Sequence, residues 1–153
     1  MRFVILIGFL LSFLGGGPAF AADQPHEPKA NLTILADAEF MLPAAQLVRS
    51  YSRQTDTPLT LVLKNPAEAE AQIMQGLEAH VLLTADANLV ERLANQGLTD
   101  VNSTRAITTG PATYKVMVLA SESMEASRAF AEFLQSADAR TILARFGYQS
   151  PKP

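Results

Sequence analysis

The chain has 153 residues, with twelve basic and fifteen acidic side chains for a net charge of −3, and no cysteine. A balance on the acidic side gives no electrostatic footprint for phosphate backbones or anionic lipid, so nucleic acid and membrane surfaces are excluded as partners. Without cysteine there are no disulfide staples, and the fold must rest on its core alone.

In chain order the first predicted element is an export signal over residues 1–21. Arg2 supplies the positive charge, and Phe3 to Leu14 form an apolar run broken only by Gly8 and Ser12. Gly15, Gly16, Gly17 and Pro18 end any helix there, and Ala19-Phe20-Ala21 is a small-x-small cleavage site. Twelve residues at about 1.5 Å each reach roughly 18 Å, short of the ~30 Å hydrocarbon core, so a membrane anchor is excluded. No cysteine follows the run, so a lipid anchor is excluded too. Cleavage after Ala21 removes Arg2 alone from the charged set, leaving eleven basic and fifteen acidic side chains and a net charge of −4. The expected location is the periplasm. Residues 22–30, polar and carrying Pro25 and Pro28, read as a flexible leader in which His26 is solvated rather than metal-bound.

Residues 31–150 then read as one domain, since roughly 125 ordered residues suffice for one core and not for two. A short strand over Asn31 to Ala36 leads into a polar turn at Asp37-Ala38-Glu39. A helix follows over Leu42 to Gln54, with Leu47, Val48 and Tyr51 on its buried face and Pro43 near its start. Leu59 to Leu63 is a second strand. Asn65-Pro66-Ala67-Glu68 is a helix start: an Asn cap, Pro at the first helical position, and Glu three residues after the cap. That helix runs to Gly76. Val81 to Thr84 is a third strand, and Asp86 caps a helix that stops at Gly97. Asp100 to Thr113 is a looser stretch, Tyr114 to Leu119 a fourth strand, and Met124 to Arg145 helical with a break near Ser136 and an end at Gly147.

Strands alternating with helices predict an α/β fold: a single three-layer α/β/α domain with a mostly parallel sheet of about four to five strands. In such sheets ligands sit at the carboxyl ends of the strands, where helix N-termini present free N–H groups. Here those turns are Asp37 to Phe40, Asn65 to Glu68 and Thr84 to Asp86.

The segments Leu32 to Phe40, Gln72-Ile73 with Gly76, Ala79 to Asp86, and Gly97-Leu98 resemble the first lobe of the periplasmic molybdate-binding proteins of ABC importers. Ala129 to Gly147 resembles the C-terminal helices that return to that lobe. The resemblance implies a lobe of a periplasmic binding protein that takes a small solute or ion and partners an ABC permease. With no enzyme motif in the sequence, neither enzyme activity nor a cofactor is expected. The resemblance also implies ligand contacts at Asp37, Ala38, Glu39, Asn65, Ala67, Thr84, Ala85 and Asp86.

Two departures from that family alter the expectation. A second lobe is inserted in the family, whereas the connection here, Thr99 to Thr113, is too short to hold one. One jaw cannot desolvate an anion from both sides. The family also places oxyanion-binding serines in the first two turns. Here the matching positions fall on Glu39 and on Asn65-Pro66-Ala67, and Pro66 has no N–H to give. Only Thr84-Ala85-Asp86 keeps the family pattern. The expected outcome is a degraded oxyanion site, with the alternative of an interaction protein that presents the lobe to a periplasmic partner. Apolar surface left by the missing lobe favours a homodimer.

Asp37, Glu39, Glu68 and Asp86 suit a cation if they converge, but carboxylates at helix N-termini are expected as caps. With His26 as the only other histidine, His80 points to a turn or edge position rather than a metal site. Glu68, Glu70 and Glu78 read as a solvated acidic surface. Ser103, Thr104, Thr108 and Thr109 near Arg105 suit an anion or, more simply, a loop. No phosphate loop, nucleophile elbow or Ser-His-Asp arrangement is recognisable.

Overall fold

The computed structural model describes residues 31–151. The export signal, the leader and His26 lie outside the described residues. Five strands and five α-helices follow in order. They are β1 (Leu32–Asp37), α1 (Met41–Thr55), β2 (Leu59–Lys64), α2 (Pro66–Met74), β3 (Val81–Thr84), α3 (Ala87–Asn95), β4 (Arg105–Ala106), β5 (Lys115–Val118), α4 (Met124–Phe133) and α5 (Ala137–Ala144). Among the described residues no helix is long and apolar enough to cross a membrane.

The sheet has the order β2-β1-β3-β5-β4. β1 lies between β2 and β3, parallel to both. Its side chains are buried on both faces, which is why Leu32, Ile34, Leu35 and Ala36 read as a continuous apolar run. Each face carries its own core. On one face Ile34, Leu83 and Val116 pack with Phe40, Leu47, Tyr51, Phe130 and Leu143 from the segments around α1, α4 and α5. On the other, Leu35, Leu82 and Met117 pack with Ala69, Leu89 and Leu93 of α2 and α3. These are the three predicted layers.

The sheet departs from a wholly parallel one at β5, which runs antiparallel to β3 and to β4. A parallel return needs a crossover of a dozen residues or more, and the link from Ala106 to Lys115 has only a hairpin's length. The stretch expected as loop therefore holds a strand. A 3-10 turn over Val101–Ser103 leads into β4, which at two residues is too short to show any periodicity. The hairpin closes on itself: Ile107 N–H donates to Tyr114 O at 2.8 Å. Thr108 Oγ1 accepts the Tyr114 N–H at 2.8 Å and donates to Ala112 O at 2.9 Å. Thr109 and Gln149 exchange both backbone hydrogen bonds, at 2.7 and 3.0 Å, and so tie the end of the chain to this hairpin. Thr108 and Thr109 are thus structural. Because β4 runs parallel to β3, the hairpin stands at the carboxyl end of the parallel strands, beside the turns that follow β1 and β3.

At the other end His80 is buried and not a turn or edge residue; it is 3% exposed. Its Nδ1 accepts the Thr33 N–H at 2.9 Å, its own N–H donates to Thr33 O at 2.9 Å, and its carbonyl accepts from Leu119. It extends the pairing of β1 and β3 by one residue, a role no single-sequence pattern announces.

Candidate ligand site at the strand ends

Asp37 was expected in the turn after the first strand, but it is the last residue of β1, level with Lys64 on β2. Thr84, the last residue of β3, is level with Lys115 on β5. The 3-10 turn after Asp37 (Ala38–Phe40) receives no cap bond from its side chain. The carboxylate reaches sideways instead. Its Oδ2 accepts the Thr84 hydroxyl at 3.0 Å and the Ala85 N–H at 2.8 Å. The residue is only 7% exposed, and its Oδ1 has no partner among the described residues. Burial is the largest influence on its acidity and raises the pKa above the ordinary carboxylate range. The bonds from Ala85 and Thr84 offset part of that rise, and the charges of Asp86 and Glu39 add to it.

The neighbouring donors are taken in the same way. Thr84 Oγ1 accepts the Asp86 N–H at 3.1 Å. Asp86 caps α3, accepting from the N–H groups of Asn88 at 2.9 Å and Leu89 at 3.1 Å. Asn65 caps α2 by accepting the Glu68 N–H at 2.9 Å, with Pro66 at the first helical position. The capping expectation therefore holds for Asp86 and Asn65, and Asp37 bridges two strands instead. Ala38, Glu39, Ala67 and Ala85 are exposed around this rim, as is Glu68. Among the described residues no three of the His, Asp and Glu side chains group closely enough to hold a metal ion.

Three aromatic residues that the sequence did not single out close the site on the hairpin side. Phe40 stacks on Tyr114 with ring centroids 4.0 Å apart, and Tyr148 meets both edge-on at 5.5 and 5.8 Å. Burial pushes the Tyr114 hydroxyl up to about 12, helped by Tyr148 and by the charges of Asp37 and Glu39. The only signal available was position: one aromatic closes the first flagged turn, one opens the last strand, and one follows the helix-ending Gly147.

At this turn a hydroxyl and a main-chain N–H both donate to one carboxylate oxygen of the chain itself. A hydroxyl and a main-chain N–H at a strand-to-helix turn are the groups that receive an oxyanion in such folds. Here they receive a carboxylate of the chain itself. An incoming anion at about 4 Å from that carboxylate would meet on the order of 1–4 kcal/mol of repulsion, according to screening.

The model of the family described as bacterial extracellular solute-binding protein matches residues 32–113, just over half of the chain. Among solved structures, the substrate-binding domain of a putative molybdenum ABC transporter from Clostridium difficile superposes with a TM-score of 0.74. It is 14% identical, over 80% of this chain and 99% of that one. The periplasmic molybdate-binding protein of Azotobacter vinelandii gives a TM-score of 0.73 at 11% identity, over 79% of this chain and 100% of that one. A sulfate-binding protein of Mycobacterium tuberculosis gives 0.69 at 11% identity, over 81% and 88% of the two chains. At these identities the likeness is one of fold. No curated protein matches the chain in sequence.

Proposed function

This chain belongs to the bacterial extracellular solute-binding protein family, and from that premise we propose an exported, single-lobe binding domain whose oxyanion site is closed from within. The observation that carries the reading is the Asp37 carboxylate seated on the Thr84 hydroxyl and the Ala85 N–H, at 3.0 and 2.8 Å. The function is binding rather than catalysis, in the periplasm after removal of residues 1–21. The solute is a small molecule or ion other than a tetrahedral oxyanion, and the partner is an ABC permease. Thermal unfolding and calorimetry with molybdate, tungstate and sulfate test the closure. The expected result is no saturable stabilisation by any of them at millimolar concentration. A saturable shift that disappears in Thr84→Val would overturn the reading.

A second reading, a partner-binding lobe without a solute, is favoured by one observation. Met41 and Leu42, at the start of α1 beside the strand-end turns, are 46% and 60% exposed. Large apolar side chains on that rim suit a protein interface, including one between two copies of the lobe. Sedimentation of the wild type and of Leu42→Lys separates the cases, because a dimer made by this surface dissociates in the variant.

A further inference from the structure

We propose that the cavity between the β4 edge and α4 is a binding site for a small zwitterion, a molecule bearing one carboxylate and one ammonium. This site is remote from the strand-end turns in sequence and does not depend on how they are read. The cavity has a volume of about 230 Å³ and is lined by Asp100, Asn102, Ser103 and Arg105 and by Arg128, Ala131 and Glu132 of α4.

The charges around it are not equivalent. Asp100 and Arg128 neutralise each other, with Arg128 Nε at 2.9 Å and Nη2 at 2.8 Å from Asp100 Oδ2. The other Asp100 oxygen accepts the Asn102 N–H at 3.2 Å. Ser103 is spent on structure, donating to Asp100 O at 2.6 Å and accepting the Val118 N–H at 2.9 Å, so it is not an anion ligand. Two charged groups remain. Arg105 and Glu132 line the same cavity, yet neither forms an ion pair with the other or with another described residue. A cationic and an anionic side chain lining one cavity without pairing fit a ligand carrying the opposite pair. Its carboxylate meets the Arg105 fork and the outer N–H groups of Arg128, which Asp100 holds in place, and its ammonium meets Glu132.

Calorimetry of the protein with β-alanine and γ-aminobutyrate, which carry the two charges at different separations, tests this. Propionate and propylamine, with one charge each, are the controls. Saturable binding of at least one zwitterion is expected, tenfold or more tighter than either control. Arg105→Gln and Glu132→Gln are each expected to weaken it tenfold or more while leaving the circular dichroism unchanged, since both side chains are exposed. The proposal is overturned by absence of saturable heat with either zwitterion, by a control that binds as tightly, or by binding that survives both substitutions.

Discussion

The turns after β1 and β3 and the cavity beside β4 are both lined by charged and hydroxyl-bearing side chains, and they use them in opposite ways. At the turns most of the hydrogen-bonding groups at the strand ends are used inside the chain, with Asp37 Oδ1 the buried exception: Asp37 takes Thr84 and Ala85, Thr84 takes the Asp86 N–H, and Asp86 caps α3. At the cavity Arg105 and Glu132 face a common space without meeting. A polar residue at the expected end of a parallel sheet is therefore weak evidence of a ligand until its hydrogen bonds have been assigned. A satisfied network is structure first, and an unmatched pair of charges at a concave surface is the better pointer to a solute.

That contrast implies that stability is concentrated at the closed turns. The largest effect is expected from Phe40→Ala. The ring is fully buried and joins the first turn to Tyr114 of the hairpin and Tyr148 near the C-terminus. Its loss should cost about 3–5 kcal/mol, the usual range for emptying a buried aromatic site. Urea unfolding measures this, and a loss below about 1 kcal/mol would show that the aromatic closure is not holding the turn. Asp86→Ala comes next. It removes the acceptor for two N–H groups at the start of α3, so a loss of about 0.5–2 kcal/mol is expected. The same substitution at Asn65, which holds one N–H on an exposed rim, should lie at the low end of that range.

Much of the fold was legible because its signals are local. Asn65-Pro66 and Asp86 marked helix starts that the structure places at Pro66 and Ala87, and the apolar runs marked β1, β2, β3 and β5. β4 was not legible, because two residues carry no period, and the reversal of β5 depends on that hairpin. The eight candidate site residues did fall at the strand ends. What they do there was only partly legible. Asn65 and Asp86 cap as their types suggest, but the reach of Asp37 to Thr84 spans 47 positions and is set by strand order. His80 was misjudged for the same reason, since its partner Thr33 is also 47 positions away.

The internal carboxylate makes a further prediction with a definite sign. Burial raises the folded-state pKa of Asp37 above the value of 3.8 that it has when exposed. Between those two values the folded protein binds more protons than the unfolded one, so this residue's contribution to stability grows as pH falls and is lost as pH rises through the folded pKa. Asp37→Asn has no such dependence. The stability of the wild type relative to Asp37→Asn should therefore increase from pH 7 toward pH 4. A constant difference across that window would mean that the bonds from Ala85 and Thr84 offset the whole cost of burying the carboxylate.

The smallest stability effect should come from the open side of the comparison. Arg105 is exposed and stands on a two-residue edge strand, and its side chain forms no ion pair among the described residues, so shortening it to Gln orphans nothing. Substitutions of this kind usually stay within about 0.5 kcal/mol. A larger loss in urea unfolding would mean that the guanidinium already has a structural task, and the cavity would then resemble the turns rather than contrast with them. An unchanged stability combined with weakened zwitterion binding would separate the two regions: turns whose charges maintain the fold, and a cavity in which Arg105 and Glu132, unlike the paired Asp100 and Arg128, are not needed by it.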